Sequence, residues 1–525
     1  MMKHAMHKTL VVAMLAAGCM LAGAQTVRIG AQGDALSMDP HSFNETVQLS
    51  VTGNVYEPLA GRNKDLSLRP VLATKWEQTS PTVWRFTLRK GVQFHDGTPF
   101  TADDVVFSMM RTQLEGSDMK TYTNAIKETR KIDDYTVEIE SKEPAPILPS
   151  MISQVYIMSK KWTEANNAVN PVDRRKGIEN AASFKANGTG PFRVRERQPN
   201  VRTVFSRSGN YWDKVDGNVQ EVVYTPVAND ATRVAALLSG QVDVIDPVPV
   251  QDIDRVNNTG GTRVVSGPEL RAIFMGMDHK RDELLNSSVK GKNPFKDKRV
   301  RQAFYQAIDI EGLHKQVMRG ASGNLATLIG KGVNGYTDDI KRLPYDPAAA
   351  KKLLADAGYP DGFEVTLNCS NDRYINDSRI CQAVSANLAK IGVKVQLNAE
   401  TKGTYFPRIM RHETAFYILG WTPSTYDAHN PLLALMNCND GKGAGAFNYG
   451  NYCNPKVDAL TRQVQSETDT AKRNAQIQEA LKIVADDVGY LPLHQQYMNW
   501  GVSKNVELVQ MADGFMPFKW MTVKK

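Results

Sequence analysis

Two periodicities alternate along the chain. Trp84-Arg85-Phe86-Thr87-Leu88 alternates large apolar and polar positions, which predicts a strand. His95-Asp96-Gly97 then turns the chain, and Thr101, followed by Asp103 and Asp104, predicts a hydroxyl-capped helix with acids in its first turn. Within residues 297–309, Val300, Ala303, Phe304, Ala307 and Ile308 fall at i, i+3, i+4, i+7 and i+8, one apolar helical stripe. Asp346-Pro347 starts another helix and Gly358 ends it.

The most informative unit spans 363–397. Phe363 to Leu367 reads as a strand and Cys369 to Asp377 as a loop. Ser378 to Lys390 reads as a helix with Ile380, Val384 and Leu388 on one face. Gly392 stops it, and Val393, Val395 and Leu397 alternate as a second strand. A strand–helix–strand unit of this length predicts a right-handed crossover in a parallel sheet. Ligands of such sheets sit at the carboxyl ends of strands, which places the loop 369–377 where small molecules bind.

Length and composition then narrow the class. A chain of 525 residues exceeds one hydrophobic core, so two or three domains are expected. Hydrophobic residues at 42% and charged residues at 23% are those of an ordinary globular protein. Lys3 and Lys8 precede an apolar run that ends in Ala22-Gly23-Ala24, the pattern of a secretory signal peptide over 1–24. A second reading makes Cys19 a lipid-attachment site. Without Lys3 and Lys8 the formal charge falls from +8 to +6, mild for this length. No dense Lys/Arg run carries interleaved aromatics, so nucleic acid is not an expected partner.

Without Cys19 four cysteines remain: Cys369, Cys381, Cys438 and Cys453. In an exported chain they suggest disulfides in one of three connectivities, of which nearest-neighbour pairing is the simplest. Free buried thiols are the other reading. No C-x-x-C motif points to a zinc ribbon or redox centre.

The search for catalytic chemistry finds little. GKGAGAF at 441–447 lacks the hydroxyl residue of a P-loop, and no G-x-S-x-G or H-E-x-x-H occurs. His95-Asp96 reads as a hairpin tip. No catalytic residue, metal ligand or cofactor is assigned. GWTPSTYDAHNPL, 420–432, sets aromatic and hydrogen-bonding side chains among turn formers. Asp427 and His429 could share a face toward a metal, or the stretch could be a turn held by its own hydrogen bonds. As a binding loop it would offer flat contact area and specific polar groups.

Seven ordered motifs carry a resemblance. They are LATKWEQTSPTVWRFTLRKGVQFHDGTPFTADDVVFS (72–108), NGTGPF (187–192), NYWD (210–213), ALLSGQVDV (236–244), NPFKDKRVRQAFYQAID (293–309), NYCNPKVDALTRQV (451–464) and VGYLPLH (488–494). Together they resemble the family-5 extracellular solute-binding proteins, the dipeptide, oligopeptide and nickel-binding components of bacterial ABC importers. The resemblance implies an α/β, two-lobed periplasmic-binding-protein-like fold of type II, with an extra domain in lobe one and a hinge between the lobes. It implies lobe one over 25–270 with the extra domain at about 57–185, lobe two over 271–494, and a return to lobe one over 495–525. It also implies a monomeric periplasmic receptor that closes over a small peptide-like solute and works with a membrane permease and a separate ATPase. A metal-chelate or other non-peptide solute is the alternative; a secreted hydrolase or a peptide-binding chaperone stands further off.

Peptide-binding members place an aspartate three residues after a Gly-Trp pair to meet the ligand ammonium. Here Trp421 matches, but Ser424 stands at that position. Either Asp427 takes over or the ligand lacks a free amino terminus. The expected ligand-binding set is Trp421, Thr422, Ser424, Tyr426, Asp427, Asn371, Arg373, Tyr374, Asp39 and His41. Arg373 could hold a ligand carboxylate in a bidentate pair or form a structural salt bridge. Asp39-Pro40-His41 is either a ligand-facing loop or a capping turn.

Overall fold

Two strands, Thr262–Met277 and Leu491–Ser503, are the longest in the chain and pair with each other antiparallel. The first changes character along its length. From Arg263 to Pro268 its residues are half-buried or exposed, whereas Ala272 to Met277 are buried on both faces. A strand with both faces covered reads as a continuous apolar run, and AIFMGM is one. The computed structural model describes residues 25–173, 178–371, 373–441 and 443–524. The predicted signal segment with Cys19 lies outside them.

These two strands sit in the middle of a large mixed sheet. On one side follow Phe416–Trp421, Glu364–Ser370 and Lys394–Glu400; on the other follow Val244–Asp246, Thr26–Ala31, Glu221–Pro226, Arg202–Arg207 and Phe192–Gln198. The pairing of the two long strands shifts register between Pro268 and Ala272. Proline has no N–H to give the ladder, so it is found at such irregularities. Two hydrophobic cores flank the shift. One includes Ile273, Phe304, Ile380, Ile418 and Leu481. The other includes Val27, Ile29, Phe86, Ile139 and Phe205. A separate four-stranded antiparallel sheet, built from Ala73–Ser80, Val83–Leu88, Thr136–Ser141 and Ile126–Asp133, packs into the second core.

The local predictions hold. Glu364–Ser370 and Lys394–Glu400 pair in parallel, with the helix Asp377–Ala389 between them. The strand runs further than its alternation suggested and takes in Cys369, so the loop is shortened. Thr101 caps Ala102–Arg111, Asp297 caps Lys298–Ala307, and Asp346 caps Pro347–Asp356. Gly358 and Gly392 have φ of 92° and 88°, the left-handed turn that ends a helix with glycine. The disulfides are Cys369–Cys381 and Cys438–Cys453. The first ties strand to helix in the crossover, and each closes a loop worth about 3 kcal/mol in the chain-entropy model.

Asp39 and His41 belong to this framework, which corrects the expectation that they meet ligand. Both Asp39 oxygens accept from Arg111, Nη1 at 2.8 Å and Nη2 at 2.6 Å, and both side chains are fully buried. His41 Nε2 contacts the Tyr156 carbonyl at 2.8 Å, and burial pushes the imidazole down to about 4, so it is neutral. Burial alone would raise the Asp39 carboxyl; Arg111 more than reverses this and holds it below the usual range.

Asp39→Asn leaves Arg111 buried without its counter-charge. The expected cost is about 3–5 kcal/mol, read as a lower urea midpoint at unchanged slope. Because the folded-state pKa is depressed, the wild-type advantage is complete above the unfolded value of about 3.9. It shrinks as pH falls below that value. An advantage that stays constant down to pH 2 would contradict the assignment.

Candidate functional site

A cavity of about 1210 Å³ lies where the two cores face each other. Its walls come from distant parts of the chain: the carboxyl ends of Thr26–Ala31 and Val244–Asp246, the helix Thr46–Thr52, the register shift at 269–271, and the segment 420–426. The strand ends reach it because the sheet is parallel there: Thr26–Ala31 pairs in parallel with Val244–Asp246 and Glu221–Pro226.

The segment after Phe416–Trp421 forms one wall. Trp421 is half-buried and lines the cavity. Its Nε1 donates to Asn430 Oδ1 at 2.8 Å, and its ring meets Phe447 at 4.9 Å between centroids. Asn430 Nδ2 also reaches Ser424 Oγ at 3.4 Å, so one amide braces both ends of the turn. Thr422, Ser424 and Tyr426 line the cavity with it. Thr422 Oγ1, Thr425 Oγ1 and His429 Nε2 are buried without a protein partner among the described residues. Buried polar atoms are rarely left unpaired. Burial pushes His429 down to about 4, which leaves a neutral ring.

Arg373 also lines the cavity, and its guanidinium forms no hydrogen bond or ion pair among the described residues. It lies over the Tyr374 ring at 5.2 Å, and desolvation together with neighbouring Arg271 lowers its pKa. Arg271 is paired with Glu269 at 2.9 Å, and Glu269 accepts from Gln496 at 2.6 Å. Sequence reasoning missed Glu269, Arg271, Glu45 and Asp246. The Gly267-Pro268 step inside a run rich in β-branched and apolar residues was the available signal for the first two.

Three expected contacts lie elsewhere. Asp427 is taken up by Arg473, Nη1 at 2.7 Å and Nη2 at 2.8 Å, and also accepts from Asn334. Burial raises its carboxyl, but Arg473 more than reverses this, so the group is a wall brace rather than a free counter-charge. Tyr374 is buried in the core against Gly420, where a Cβ would come within 2.6 Å of its ring. Glycine before Trp421 is therefore a packing requirement. Asn371 is exposed, and its N–H continues the sheet by donating to the Glu400 carbonyl at 2.9 Å.

Tyr426 joins the two cores. It has φ of 59° and its hydroxyl donates to Asp513 at 2.9 Å. Gln154 Nε2 donates to the same hydroxyl, and Arg62 lies 4.0 Å over the ring. Ser150 Oγ donates to the Thr425 carbonyl at 2.9 Å. Gln154 and Ser150 sit among elements of the Val27–Ile29 core, whereas Tyr426 packs in the Ile273–Phe304 core.

The family model described as "Bacterial extracellular solute-binding proteins, family 5 Middle" matches residues 67–443. The glutathione-binding protein GsiB of Escherichia coli (strain K12) is 26% identical over 522 residues, covering 96% of each chain. Among solved structures, DppA from Helicobacter pylori with the peptide STSA superposes with a TM-score of 0.75 at 23% identity, covering 95% of this chain and 98% of that one. NikA from Brucella suis with Fe(III)-EDTA gives 0.82 at 21%, covering 95% and 100%. Among the described residues no helix is long and apolar enough to cross a membrane.

Tyr426→Phe removes the hydroxyl shared by Asp513 and Gln154, contacts worth about 1–3 kcal/mol together. The ligand-free variant is expected to show a larger radius of gyration by small-angle scattering than wild type. Superimposable curves would remove this contact from lobe closure.

Proposed function

Because this chain belongs to the family-5 bacterial extracellular solute-binding proteins, we propose that it is the periplasmic substrate-binding protein of an ABC importer for a small peptide-like solute. The observation that carries the reading is the cavity between two cores, walled by Trp421 and by Arg373, whose guanidinium forms no ion pair among the described residues. The relatives' printed ligands, glutathione and a peptide, point the same way. Lobe one over 25–270 and 495–525 and lobe two over 271–494 move about the long strand pair. Ligand touching both walls favours the closed form by its differential affinity. The permease reads that form, and the ATPase is a separate subunit. The site performs capture and delivery rather than catalysis.

Trp421, Thr422, Ser424, Tyr426 and Arg373 are the proposed ligand contacts. Arg373 offers a fork for a carboxylate and Trp421 a flat apolar surface. A cavity of this size exceeds the usual drug-sized pocket of about 300–1,000 Å³, which suits a short peptide with some water.

Native mass spectrometry of freshly purified protein is expected to show a peptide-like adduct. Titration calorimetry with that compound is expected to give at least about tenfold weaker binding for Trp421→Ala with the fold intact, since buried aromatic anchors commonly supply over ~2 kcal/mol. Unchanged affinity would remove Trp421 from the site, and conversion of the compound by the pure protein would replace capture with catalysis.

A further inference from the structure

A second cavity, of about 100 Å³, lies behind the Tyr426 contact. Gln154, Tyr426, Asp513 and Phe515 line both it and the large cavity, so they form a partition between the two. A single water needs about 10–15 Å³ of such space, so the second cavity has room for a small molecule but not for a peptide. Pro58, Val71, Met511 and Trp520 give it an apolar side. Three cations, Arg62, Arg69 and Lys519, line it as well, against two acids, Glu57 and Asp513.

Both acids are occupied. Glu57 is buried, and its oxygens accept from Thr189 Oγ1 at 2.9 Å, Tyr211 Oη at 2.8 Å and Trp212 Nε1 at 2.7 Å. Asp513 accepts from the Tyr426 hydroxyl and from the Phe515 N–H. Arg62 is committed too. Its guanidinium donates to Ser153 Oγ, to the Leu66 carbonyl and to Ser150, and it lies over the Tyr426 ring.

Lys519 is different. It is only 9% exposed, yet its ammonium forms no hydrogen bond or ion pair among the described residues. Nζ stands 6.0 Å from the centre of the Tyr211 ring and 5.6 Å from that of Trp520. The turn that carries it is pinned, since the Gly217 N–H donates to the Lys519 carbonyl at 2.8 Å. Arg69 flanks the same segment. Its Nε donates to the Arg62 carbonyl at 3.2 Å, and its Nη1 is 4.0 Å from Asp213, two residues past Tyr211. Neither Nη group makes a hydrogen bond among the described residues. An ammonium buried this far without a counter-charge is costly. Burial lowers its pKa and the Arg69 charge adds to this, more than Glu57 and Asp213 offset.

We propose that the second cavity is a binding site for a small monocarboxylate with a short apolar tail, its carboxylate between Lys519 and Arg69 and its tail against Val71 and Trp520. One negative charge supplies what Lys519 lacks. The apolar side disfavours a strongly hydrated, multivalent oxyanion such as phosphate. The site is separate from the solute cavity and does not depend on what that cavity holds. Because Tyr426 and Arg62 belong to its wall, an occupant lies against the contact that joins the two cores.

Thermal unfolding in sodium propionate, exchanged for chloride at constant ionic strength, tests this, with sodium phosphate as the second probe. Wild type is expected to show a saturable rise in Tm with propionate, by mass action, and a smaller one with phosphate. Lys519→Met is expected to weaken the apparent propionate affinity at least about tenfold, the scale of one lost charge-assisted contact, and Lys519→Arg to restore most of it. Arg69→Gln, at a half-buried position, repeats the affinity reading on the second donor. Without propionate, Lys519→Met is expected to melt no lower than wild type, because it removes a cation that nothing balances. No rise in wild type, or a rise of equal size in every variant, overturns the site. A stronger response to phosphate overturns the carboxylate assignment. A Lys519→Met protein that melts lower without propionate has lost an ammonium already satisfied inside the fold, which also overturns the proposal. Each of these results leaves the peptide receptor standing.

Discussion

The pairing of Thr262–Met277 with Leu491–Ser503 is the constraint on which the rest depends. A backbone that leaves one core and enters another must keep its N–H and C=O groups satisfied on the way. Two antiparallel strands do this for each other. They connect two bodies through a ladder that holds direction firmly but is broken between Pro268 and Ala272. The break frees Glu269 and Arg271 from regular alternation, and both reach the cavity. The proposed hinge and one wall of the cavity thus share one local irregularity.

Charge is distributed around that cavity by a simple rule. A buried ion is tolerated when its partner is built in. Asp39 with Arg111, Asp427 with Arg473 and Glu269 with Arg271 meet this condition inside the walls. Asp246 and Arg373 are among the wall groups that form no ion pair among the described residues. Specificity in such a site comes less from its many contacts than from the few groups the protein does not satisfy itself.

The turn after Trp421 shows how such groups are held still. Gly420 admits the Tyr374 ring, Asn430 braces Trp421 and Ser424, and Arg473 fixes Asp427. Tyr426 then crosses to Asp513 and Gln154. Residues that read from the chain as a polar binding loop divide into two kinds. Some line the cavity, and the others hold them in place. This rigid support lowers the entropy lost when a ligand is ordered against the wall.

The local elements were legible because their causes are local. Caps at Thr101, Asp297 and Asp346, helix ends at Gly358 and Gly392, and the parallel crossover around 363–397 all depend on residues within a few turns of each other. The ordered motifs also disclosed the family and its paired lobes. The division of labour among polar residues was not legible. Asp39 and Arg111 are 72 residues apart, and Asp427 and Arg473 are 46 apart. An aspartate in a loop has the same composition whether it meets a ligand or an arginine from a distant helix. Only the packed chain decides which, because the energy of a buried charge is set by whatever stands within a few ångströms of it.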